Sequence, residues 1–134
     1  MSSASWFYDE AANVVHVQHP SPVELRTRAE IAKYFDEAIE YCRAHLKGHK
    51  AYLVVNYDNL SFDTEEIDFY AGEVKRLSDD HALAIVRYNG SLVQRMAGRM
   101  AAIKLHKPSR VYGSREEAMA VVDGLKRGTS SIRP

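Results

Sequence analysis

A chain of 134 residues with 46% hydrophobic and 27% charged residues has the size and composition of one soluble globular domain, able to bury a single core without staples. Its 18 Lys and Arg cancel its 18 Asp and Glu, which excludes the polycationic signature of a general nucleic-acid binder and the run of like charge in an acidic tail. The single cysteine, Cys42, excludes an internal disulfide and fits a reducing compartment.

The first residues, Met1-Ser2-Ser3-Ala4-Ser5, have neither the basic start nor the apolar run of a signal peptide. No stretch approaches ~20 apolar residues, so a cytoplasmic location is expected. Trp6-Phe7-Tyr8 and Val14-Val15-His16-Val17 are β-prone runs separated by Asp9 to Asn13, which predicts an antiparallel hairpin. His19-Pro20-Ser21-Pro22 then interrupts regular structure, because each proline removes a donor and restricts the residue before it.

Thr27-Arg28-Ala29-Glu30 is a capping box, and Ile31, Phe35, Ala38, Ile39, Cys42 and Leu46 fall on one face behind it. A helix of about four turns ending near Gly48 follows. Ala51-Tyr52-Leu53-Val54-Val55-Asn56 is too continuously apolar for a strand with one wet face and reads as a central strand covered by helices. An acidic turn, Asp58 to Glu66, leads into a second helix whose stripe is Ile67, Tyr70, Ala71, Val74 and Leu77, closed by Ser78-Asp79-Asp80.

Ala82 to Val86 repeats the buried-strand pattern. A third helix, capped by Asn89 or Ser91, carries Leu92, Val93, Met96, Met100 and Ile103 inward and Arg95, Arg99 and Lys104 elsewhere, and Pro108 stops it. Arg110-Val111-Tyr112 is a short last strand. Ser114-Arg115-Glu116-Glu117 is a second capping box opening a helix with Ala118, Met119, Val122 and Leu125 inside. The reading is a single α/β domain over 1–127 with a loose tail over 128–134. Its order is β-β-α-β-α-β-α-β-α, with a mixed, mostly parallel sheet.

Charge is unevenly placed along this order. Residues 1–80 hold 8 basic against 15 acidic side chains and residues 81–134 hold 10 against 3, so the halves carry −7 and +7. Seven basic residues and no acid lie between Arg87 and Arg115. Either the two charge sets neutralise each other across neighbouring helices, or the basic run forms a surface for an acidic partner or anionic lipid.

Reactive groups are sparse in pattern. His16 and His19 point to opposite sides of a strand end, and Gly48 separates His45 from His49, so neither pair reads as a metal site, and Cys42 lies on a buried stripe. Neither GxGxxG, GxxxxGK[ST] nor GxSxG occurs, so no cofactor and no catalytic residue is assigned. Tyr34, Tyr41, Tyr52, Tyr57, Tyr70 and Tyr88 are expected in or near the core, with a few available to line a pocket.

Three local runs, Val23-Glu24-Leu25-Arg26-Thr27, Val54 to Asp63 and Ser114 to Ala118, give the chain a resemblance to the STAS domain, the family of anti-sigma-factor antagonists and sulfate-transporter tails. The resemblance covers about residues 13–127. It implies a regulatory module that binds an anti-sigma factor or a serine kinase. In such antagonists an Asp-Ser-Ser-Gly turn receives the kinase's phosphate; the corresponding run here is Asp63-Thr64-Glu65-Glu66, with Glu65 at the phosphorylated serine and Glu66 at the glycine. Three readings stay open: Glu65 and Glu66 hold the turn permanently acidic, Thr64 takes a phosphate, or Asp63 simply caps a helix whose first turn favours acids by ~0.3–1 kcal/mol each.

The expected function is partner docking without catalysis, through Asp58, Asp63, Thr64, Glu65 and Glu66 with Arg95 and Arg99 of the third helix. No nucleic acid is expected as partner. The alternative is a binder or sensor of a small apolar or anionic, lipid-like ligand with weak membrane-surface contact. The oligomeric state, a homo-oligomer included, stays open.

Overall fold

A computed structural model describes residues 4–90 and 111–128. The hairpin forms as the two β-prone runs require. β1 (Ser5–Asp9) and β2 (Val14–Gln18) pair antiparallel, and Asn13 takes the left-handed φ of 56° that the turn demands of a short polar residue. Strand β4 (Ala51–Asn56) lies parallel between β2 and β6 (Ala82–Tyr88), and β6 pairs parallel with β7 (Val111–Tyr112). The sheet order is β1-β2-β4-β6-β7, mostly parallel with one antiparallel edge.

Helix α1 (Arg28–Leu46) starts at the capping box. The Thr27 hydroxyl accepts from the Glu30 amide at 3.2 Å, and the Glu30 carboxylate accepts from the Thr27 amide at 3.0 Å. It ends with Lys47 left-handed and runs 19 residues, a turn longer than the expected four turns. Helix α2 (Ile67–His81) absorbs Ser78-Asp79-Asp80 into its last turn, where the sequence placed a stop. The buried stripe of Val74 and Leu77 holds that turn against the core, and the Asp79 carboxylate receives the Lys75 ammonium one turn back.

Helix α3 (Arg115–Arg127) starts at Ser114, whose hydroxyl accepts from the Glu117 amide. The expected reciprocal bond of a capping box is displaced by one residue: the Glu117 carboxylate accepts from the Gly113 amide at 3.1 Å. Of its expected inward set, Ala118 and Val122 are fully buried and Met119 and Leu125 only partly so. The expected helix over residues 92–103, with Arg95 and Arg99, lies outside the described residues.

The continuous apolar run of β4 is explained by cover on both faces. α1 and α2 pack together on the side of Val15, Val17 and Leu53, while α3 covers Val14, Val54 and Val86. Two strands were not legible in the sequence. β3 (Val23–Leu25) and β5 (Leu60–Phe62) pair parallel as a separate ribbon. Each is three residues long and gains its strand geometry only from a partner far along the chain, so no local alternation betrays it.

Candidate functional site

The acidic turn emerges from the carboxyl end of β4, where the loops of a parallel sheet present their side chains. It is held by a chain of amides. The Asn56 side-chain oxygen accepts from the Asp58 amide at 2.9 Å and from Asn89 Nδ2 at 3.2 Å, while Asn56 Nδ2 donates to Gln18 Oε1 at 2.8 Å. Gln18 Nε2 in turn donates to the Tyr88 hydroxyl at 2.8 Å. Asn59 and Asn89 both take left-handed φ, 65° and 62°, and Asn59 Nδ2 donates to the His19 carbonyl at 2.9 Å. These side chains stitch the ends of β2, β4 and β6 to the turn.

The expected acids divide by role. Asp58 is exposed and accepts a bond from Asn89 at 3.2 Å. Asp63 caps the 3-10 turn Thr64–Glu66 by accepting from the Glu65 amide at 2.9 Å, one element earlier than the expected cap on α2, whose own N-cap residue, Glu66, makes no side-chain cap. Glu65 is exposed. Glu66 reaches along the surface to the Arg28 guanidinium at 2.7 Å, which also lies over the Phe69 ring at 5.5 Å. Glu66 therefore joins α1 to α2 and is not a free docking acid. Thr64 opens the 3-10 turn. Arg95 and Arg99 lie outside the described residues.

Arg87, the first cation of the acid-free run, is not part of a basic surface. It is 8% exposed and sits on the sheet face that α1 and α2 cover. Burial works against its charge, but the Tyr57 and Tyr70 hydroxyls beside it, with a hydrogen bond to Tyr57, hold its pKa above the ordinary arginine value. The Tyr57 and Tyr70 hydroxyls are 3.4 Å apart, and burial pushes the Tyr70 phenol well above its ordinary range.

Beside this cluster a cavity of about 30 Å³ lies between the sheet and the two helices, with walls from Trp6, Val17, Tyr34, Leu53, Tyr57, Tyr70 and Arg87 among others. Three of the six tyrosines singled out in the sequence thus meet at one cavity.

The histidines and the cysteine follow their expected separation. His19 Nδ1 donates to the Asn56 carbonyl at 2.8 Å, which leaves Nε2 to accept from the Tyr34 hydroxyl at 2.8 Å. His16 stacks with Phe7, its Nδ1 buried with no hydrogen-bond partner among the described residues. His45 stacks on Tyr41 and His49 meets the Tyr8 hydroxyl. Cys42 is buried, which pushes its thiol up to about 11. Among the described residues no three potential metal ligands converge, and no helix is long and apolar enough to cross a membrane.

No family model, no curated protein and no solved structure matches this chain.

Proposed function

We propose that this chain is a non-enzymatic, cytoplasmic regulatory module of STAS type that docks a protein partner through the 58–66 turn and the adjoining helix faces. The observation that carries the reading is the contrast between the anchoring of that turn and the exposure of its acids. Asn56, Asn59 and Asn89 fix it, and its middle residues, Leu60 to Phe62, are paired with β3, while Asp58 and Glu65 face solvent. A surface ordered before contact loses little conformational entropy on binding, and its charge orients the approach of a basic partner.

The resemblance to anti-sigma-factor antagonists names the class of partner, an anti-sigma factor or a serine kinase. Glu65, aligned with the phosphorylated serine of those antagonists, carries negative charge at the 3-10 turn without modification. Arg95 and Arg99 complete the proposed surface on sequence grounds.

The test is capture of a candidate anti-sigma factor or serine kinase by the immobilised chain. A triple variant, Glu65→Lys with Arg95→Glu and Arg99→Glu, is expected to lose capture, with stronger dependence on salt in the parent than in the variant. Undiminished capture by the variant assigns docking to another surface. Phosphopeptide mapping after co-expression with the kinase decides Thr64 separately, and an unmodified Thr64 throughout removes it as a switch.

A further inference from the structure

Trp6, the only tryptophan in the chain, is partly exposed and meets two tyrosines of α1. Its ring centroid lies 5.8 Å from that of Tyr41 and 6.1 Å from that of the buried Tyr34. At such separations aromatic rings are in direct contact, and an electron passes between them without a bridging group. Indole and phenol are the side-chain rings that give up a single electron most readily. Beyond Tyr34 the next ring is Phe35 at 5.3 Å, which in turn meets Tyr70 at 5.5 Å. A phenyl ring is far harder to oxidise, so Phe35 insulates Tyr34 from Tyr70.

The partner of the hydroxyl distinguishes Tyr34 from Tyr41. The Tyr41 oxygen accepts from the Tyr8 amide at 2.9 Å, whereas the Tyr34 hydroxyl donates to His19 Nε2 at 2.8 Å, within reach for direct proton transfer. Burial holds the Tyr34 phenol far above its ordinary range, so its proton does not leave alone. Lost together with an electron, that proton leaves a neutral ring behind. His19 is equipped to receive it. Burial lowers its pKa from the ordinary 6.5, which leaves the imidazole unprotonated above that pH. Its Nδ1 already donates to the Asn56 carbonyl at 2.8 Å, a bond that survives protonation and strengthens as the ring becomes a cation.

We propose that Trp6, Tyr34 and His19 form a proton-coupled electron relay, which draws a one-electron oxidising equivalent in from the surface and holds it as a neutral radical on Tyr34. The oxidant is a diffusible one-electron acceptor of the radical class, reduced as it takes an electron from Trp6. The Trp6 radical cation is refilled by an electron from Tyr34, while the Tyr34 O–H bond breaks and its proton forms the Nε2–H bond of His19. One electron and one proton leave Tyr34, Trp6 returns to its starting state, and the positive charge passes from indole to imidazolium. Where the indole proton has first gone to water, water returns it with the electron.

Pulse radiolysis of the full chain above about pH 7 with the azide radical, which oxidises tryptophan in preference to tyrosine, reads the relay directly. Decay of the tryptophanyl absorbance is expected to match a rise of tyrosyl absorbance, at a rate independent of protein concentration. Tyr34→Phe is expected to slow that rise at least ~tenfold, and so is His19→Gln, which keeps a hydrogen-bonding side chain but removes the base. Tyr41→Phe is expected to leave it unchanged. Should circular dichroism show that neither Tyr34→Phe nor His19→Gln folds, the parent alone decides. Its rise is expected to be about twofold slower in deuterium oxide, and the freeze-trapped radical to show, by electron paramagnetic resonance, an exchangeable hydrogen bond to the phenolic oxygen. Absence of concentration-independent transfer, an unaltered rise in folded Tyr34→Phe or His19→Gln, loss of the rise in Tyr41→Phe, or a parent radical lacking the isotope effect or the exchangeable hydrogen bond each overturns the proposal.

Discussion

The Tyr34 hydroxyl lies 2.8 Å from His19 Nε2, with the two rings 24° from parallel and their centroids 5.8 Å apart. His19 Nδ1 donates to the Asn56 carbonyl, so in the neutral imidazole Nε2 accepts from the Tyr34 hydroxyl. Burial lowers the His19 pKa below its ordinary 6.5, the Asn56 bond opposing that in part. In the unfolded chain His19 binds a proton near pH 6.5, while in the folded chain it does so only at lower pH. Stability is therefore present above about pH 6.5 and falls as the pH drops below it. His16, whose pKa burial also lowers, adds in the same direction. Thermal melts between about pH 8 and pH 5 should show this decline, and His19→Gln should flatten it.

Tyr34→Phe removes the hydroxyl that His19 Nε2 accepts from and leaves a buried acceptor unmet. The expected cost is ~1–3 kcal/mol by urea denaturation near neutral pH. A variant as stable as the parent would show that water replaces the hydroxyl.

Asn89 combines a left-handed backbone with side-chain bonds to Asn56 and Asp58. Asn89→Ala loses both bonds and places a Cβ in an unfavourable φ, for an expected loss of ~1–3 kcal/mol; Asn89→Gly relieves the backbone and should recover part of it. Equal losses in the two variants would assign the whole effect to the side-chain bonds.

Leu53 is 1% exposed on the central strand and contributes to the cavity wall. Leu53→Ala is expected to cost ~2–5 kcal/mol through lost burial and the enlarged void. Denaturant melts monitored by Trp6 fluorescence and by circular dichroism should agree on that value.

Cys42 is fully enclosed, and burial holds its thiol up to about 11. A thiol-specific reagent at about pH 8 should leave the native chain unlabelled and react promptly in denaturant, since the thiolate is the reactive form. Rapid labelling of the folded chain would place Cys42 at an opening surface.

Much of the fold was legible because its signals are local. Thr27 and Glu30 lie within one turn of each other, so their reciprocal cap is written in four consecutive residues. The unbroken apolar run Ala51 to Asn56 announced a strand covered by helices, and it spans the strand observed. The acids of the 58–66 turn were likewise visible, although which of them are exposed was not.

What only the tertiary structure decided depends on residues far apart in the chain. Val23 to Leu25 becomes a strand because Leu60 to Phe62 lies beside it. Glu66, indistinguishable from Glu65 in the sequence, is taken up by Arg28 across 38 positions. Arg87 reads as the first member of a surface cationic run, yet the register of β6 turns it inward to Tyr57 and Tyr70. Sequence pattern determines which segments are helix or strand through short-range sterics and periodicity; the environment of each charge is set by strand pairing and helix packing, where a step of one residue exchanges solvent for core.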